Sequence, residues 1–71
     1  MSRRPSLDEI RHELVIELDE KWRTPSYFSD QLGLGHGIDY LKTALVLERL
    51  AADEQAELQR QGRVRRCRRM P

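Results

Sequence analysis

The sequence predicts a mainly α domain closed by a small C-terminal β-hairpin, an α+β fold. Three observations carry that prediction. Apolar residues recur three and four apart between Leu7 and Leu18, the spacing of one helix face. Helix-start signals stand at Ser6 and again at Thr24. The end, "AELQRQGRVRRCRR", abandons helical spacing for alternation about Gly62, as paired strands do.

The first helix begins at "SLDE" (Ser6 to Glu9), a capping box in which the serine caps and Glu9 reaches back. Leu7, Ile10, Leu14 and Leu18 give it an apolar stripe of about four turns. Glu9, Glu13, Glu17 and Glu20 occupy its other side, with Glu17 and Lys21 spaced for an i,i+4 pair. Residues 1–5 are expected to be a disordered arm. Trp22 is the largest apolar side chain, expected in the core or at its rim, and Lys21 to Arg23 reads as a short strand. Thr24-Pro25 opens a second, short helix, with a threonine cap and proline at its first position. Phe28 and Leu32 form its buried edge, and Gly33 is its left-handed stop.

A third helix runs from Ile38 or Asp39 to about Ala52, with Asp39 as cap. Tyr40, Leu47, Leu50 and Ala51 share one side, while Leu41, Leu45 and Ala52 lie well round the cylinder. A helix this apolar is covered from two sides or offers surface to a partner. Leu41 and Leu45 are expected to be buried; exposed, they become the candidate dimer or partner interface. In the last segment, a three-residue loop Arg60-Gln61-Gly62 gives Gly62 the positive φ. That register sets Leu58 opposite Val64 and Glu57 opposite Arg65. Residues 6–69 then make one domain, with 70–71 a tail.

Composition narrows the function. Seventy-one residues allow one small domain. One cysteine, Cys67, excludes an internal disulfide, and "MSRRPSLDE" lacks the apolar stretch of a secretory signal. No run approaches the roughly 18 apolar residues of a membrane span. A cytoplasmic chain is expected. The net charge of +1 hides an asymmetry: residues 60–71 carry six arginines and no acid. The rest holds seven of the 13 basic residues against all 12 acids, a net −5. A cationic end on an acidic body points to an anionic partner, nucleic acid first.

The glycines of "GLGHG" (Gly33 to Gly37) raise the alternative of a phosphate loop. A Walker loop needs Lys-Ser/Thr after its last glycine, where Ile38-Asp39 stands, and a dinucleotide loop should follow a buried strand. The segment reads as a bend. His12, on the solvent side of the first helix, and His36, in the bend, have no metal-ligand spacing. Cys67 among arginines is read as a small structural residue, although such neighbours favour a thiolate. No carboxylate pair, nucleophile with a base, or metal set is legible, so no enzyme activity and no cofactor are expected.

The order helix, short strand, short helix, bend, longer helix, basic hairpin resembles the winged helix-turn-helix family from Ser6 to Arg69. "TPSYFSDQLGL" is similar to its first helix and turn, and "LERLAADEQAEL" followed by "GRVRRCRR" to the end of a recognition helix running into a wing. The resemblance implies duplex DNA binding by a transcriptional regulator, one candidate origin being a phage or mobile element. On it, Lys42, Thr43 and Arg49 face the major groove, and Arg60, Arg63, Arg65, Arg66 and Arg68 reach phosphates or the minor groove. Ser26, Tyr27 and Gln31 hold backbone phosphates. Some members of the fold bind proteins, which gives the alternative: an interaction module whose apolar third helix docks a partner, or a homodimer, while the basic end grips acid.

Overall fold

The computed structural model describes residues 4–71. Three helices, α1 (Leu7–Glu17), α2 (Pro25–Gln31) and α3 (Ile38–Ala52), precede an antiparallel hairpin of β1 (Ala56–Gln61) and β2 (Val64–Arg69). This is the expected α+β architecture. Of the expected N-terminal arm, residues 1–3 lie outside the described residues; the Pro5 carbonyl accepts from Lys42 Nζ at 3.4 Å.

The helix ends are where local chemistry put them. Ser6 and Glu9 close a capping box on α1, and the Thr24 hydroxyl accepts from the Tyr27 N–H with Pro25 at the first helical position. α2 stops at a Schellman motif: Leu34 N–H donates to the Ser29 carbonyl, Gly33 N–H to that of Asp30. Gly33 takes φ 69° to allow it. Two expectations fail here. α1 spans 11 residues, about three turns rather than four, so Lys21 lies past its end and forms no pair with Glu17. Gly37, not Asp39, caps α3; Asp39 instead sits in the first turn, where a negative charge suits the helix dipole.

α1 and α2 both pack on α3, and β1 packs on its far end. Ile10, Leu14, Leu18, Phe28, Val46, Leu47, Leu50, Ala56 and Cys67 form the buried core. Trp22 is half-buried at the rim, its ring covered by the Arg68 guanidinium 4.5 Å away. The expected short strand near Lys21 to Arg23 is a single bridge, Arg23 to Cys67. It adds a third backbone to the hairpin beside β2.

The hairpin departs from the expected register. Leu58 pairs with Cys67 and Glu57 with Arg68, while Gln61 faces Val64. The loop is therefore Gly62-Arg63, two residues, with Gly62 at φ 64°, as a turn of the II′ kind asks of its first central position. Relative to the predicted pairing, β2 is displaced by three residues. An odd displacement exchanges the faces of a strand. Val64 accordingly leaves Leu58's face and is 43% exposed, while Cys67 fills the core. The three-residue loop gives Gly62 its positive φ and sets Val64 opposite Leu58, but the two-residue loop also satisfies Gly62 and buries the thiol in the core instead.

Candidate nucleic-acid interface

Residues opposite one another on antiparallel strands share a face. One face of the hairpin thus carries the pairs Ala56–Arg69, Leu58–Cys67 and Arg60–Arg65, and its Arg60–Arg65 end turns toward Glu48 of α3. The other carries Glu57, Arg68, Gln59 and Arg66. The arginines divide by what they meet. Arg60 and Arg65 both contact the Glu48 carboxylate of α3, the second at 3.3 Å. Arg68 is held at 2.9 Å by Glu57 beneath the Trp22 contact. Arg63 at the tip, Arg66 on the outer face and Arg69 form no ion pair with any described residue, and all three are exposed.

Between the hairpin tip, α3 and the start of α2 runs a groove of about 310 Å³. Arg63, Val64 and Arg65 form one wall, Thr24, Pro25 and Ser26 another, and Tyr40, Leu41 and Ala44 the third. Cationic side chains, a hydroxyl and an apolar floor therefore meet in one place. A second groove, about 570 Å³, lies between α1 and α2 and has the opposite character. Ile10, Leu32 and Leu34 line it among Asp8, Glu13 and Glu17, carboxylates that repel phosphate.

Several expected contacts fall elsewhere. Gln31 lines the acidic groove, on the wrong side for an anion shared with Arg63. Tyr27 is half-buried against the core, and its hydroxyl accepts from Arg23 Nη1 at 2.9 Å. Thr43 is fully buried, donating to the Asp39 carbonyl one turn back, so it faces no groove. Lys42 is drawn to Pro5 and lies 3.6 Å from Asp39. Arg49 is exposed, but five residues beyond Ala44 it stands about 140° round the helix from the groove. Ser26 and the Arg63–Arg65 segment line the same groove.

The outward face of α3 is apolar. Ile38, Leu41 and Leu45 are 52%, 64% and 41% exposed, correcting the expectation that the two leucines are buried. α1 and α2 pack on one side of α3 and the hairpin on its C-terminal half, and Ile38, Leu41 and Leu45 project outside that packing. Ile38 belongs to this exposed face and was missed; its signal was the i,i+3,i+7 spacing of Ile38, Leu41 and Leu45 away from the Thr43–Leu47–Leu50 side.

Cys67 sits at the inner face of the hairpin, fully buried. Burial, reinforced by the Glu48 charge and only partly opposed by Arg65, pushes its thiol up to about 11. That is the inert structural cysteine the sequence reading preferred.

No family model, curated protein or solved structure matches the chain. No helix among the described residues is long and apolar enough to cross a membrane.

Proposed function

We propose that this chain is a winged helix-turn-helix protein that holds double-stranded DNA, as a transcriptional regulator and not an enzyme. The observation that carries the reading is the set of exposed arginines outside any ion pair, Arg63, Arg66 and Arg69, on the hairpin whose tip walls the Arg65–Ser26 groove, Arg69 standing at its far end near Asp19 and Glu20. Phosphate contacts of this kind supply affinity and position without sequence information. α3 brings leucines rather than Arg, Asn or Gln to the base edges, so readout is confined to shape and to apolar contact with thymine methyls. Binding is therefore tolerant of sequence.

The test is fluorescence anisotropy with a labelled random-sequence duplex. Arg63→Gln with Arg66→Gln should weaken binding by at least about tenfold at low salt. Equal affinity of the double variant and the unmodified protein would remove the hairpin from the interface.

A second reading is favoured by the exposed Ile38–Leu41–Leu45 face: a protein-interaction module in which that face docks a partner or a second copy. It expects no duplex binding, together with self-association that Leu45→Asp abolishes.

A further inference from the structure

We propose that Arg60 and Arg65 form an oxyanion site for a nucleic-acid phosphodiester, and that the chain's own Glu48 carboxylate occupies it at rest. The inference deepens the duplex-binding reading and rests on it.

The two arginines are direct cross-strand partners. Like charges set opposite one another weaken a ladder, so this position asks for an anion between them. Glu48 provides it. Arg60 Nη2 and Arg65 Nη1 converge on the same oxygen, Oε1. Two guanidiniums focused on one carboxylate oxygen offer the donor geometry that also grips a phosphate oxygen.

The site is open to exchange. Side-chain exposure is 62% for Arg60, 44% for Arg65 and 35% for Glu48. Exposed ion pairs of this type contribute little net stability, so an incoming oxyanion displaces the carboxylate at small cost. Arg65 also walls the groove that Arg63 and Ser26 share, which places the exchange at the edge of the proposed duplex path. Glu48 thus withholds two of the six C-terminal arginines until a phosphate arrives, and its charge opposes that arrival.

Glu48→Gln removes the charge and keeps the length and an acceptor oxygen. Two readings are taken on the unmodified protein and this variant: duplex affinity over a salt series, and a sulfate titration followed by the arginine Nε–H NMR signals. The variant should bind random duplex on the order of tenfold more tightly at low salt, because no carboxylate has to be displaced first. Its Arg60 and Arg65 signals should move at lower sulfate concentrations than in the unmodified protein. An unchanged affinity, with Arg60 and Arg65 signals indifferent to sulfate, overturns the proposal. Should neither protein bind duplex, the functional reading fails while the sulfate titration still decides the site. The unmodified protein gives a check that does not depend on the variant's hairpin: sulfate should shift the Glu48 carboxyl carbon and the Arg60 Nε–H together. Movement of neither at saturating sulfate contradicts the exchange.

Discussion

Arg23 and Cys67 exchange both backbone hydrogen bonds, Cys67 N–H to the Arg23 carbonyl at 2.7 Å and Arg23 N–H to the Cys67 carbonyl at 2.9 Å. Two residues on, Arg69 N–H donates to the Asp19 carbonyl. The basic strand is thereby stitched to the connection between α1 and α2 and is not a loose tail. Arg23→Pro removes one of these donors; Arg23→Ala keeps it and loses only the side chain. The proline variant should be less stable than the alanine variant by roughly 1–3 kcal/mol in urea unfolding, the cost of a buried acceptor left unpaired.

Core position decides which apolar truncations matter. Leu14 is fully buried, so Leu14→Ala should cost about 2–5 kcal/mol, enough to unfold much of a domain this small. Trp22 lies at the rim under Arg68, outside the core cluster. Trp22→Ala should therefore cost less than Leu14→Ala in the same thermal melt, despite the larger side chain removed.

Glu54 adopts φ 60° at the end of α3, where Gln55 N–H reaches the Leu50 carbonyl and Glu54 N–H that of Ala51. This is a second Schellman stop, made without the glycine that suits it. Glu54→Gly should raise stability by roughly 0.5–1 kcal/mol in denaturant unfolding, since the left-handed strain it relieves exceeds the chain entropy it adds.

The buried thiol gives a pH signature. Folding raises the Cys67 pKa from 9.0 to about 11, so the folded state holds its proton more tightly than the unfolded state. The associated stability is complete below pH 9 and is lost as pH rises toward 11. Over that window the unmodified protein should lose on the order of 2–3 kcal/mol relative to Cys67→Ala, measured by urea unfolding at stepped pH. Near neutral pH the thiol should react with a disulfide reagent only as fast as the hairpin opens.

How far the sequence disclosed this molecule depended on the range of the interactions involved. Ser6, Thr24, Pro25 and Gly33 act on their immediate neighbours, and each did what its chemistry implied. The bounds of α3 were legible from its apolar run, although Gly37 and not Asp39 caps it. Register and exposure were not. Whether Val64 or Cys67 faces the core turns on a loop differing by one residue, and both choices offered plausible pairs. Leu41 and Leu45 were expected inside because apolar residues usually are; only the packing of α1 and α2 against one side of α3 decides that they are outside. The candidate site was half visible: the arginine cluster was plain, but its division among Glu48, Glu57 and solvent depends on residues distant in sequence.

The salt dependence of duplex affinity tests the central claim most directly. With Arg63, Arg66 and Arg69 free to meet phosphate, Arg60 and Arg65 exchanging Glu48 for it and Arg68 held by Glu57, log K against log salt should fall with a slope of about −4 to −5. A random-sequence duplex that shows no binding even at low salt would contradict the account and leave the apolar face of α3 as the working surface.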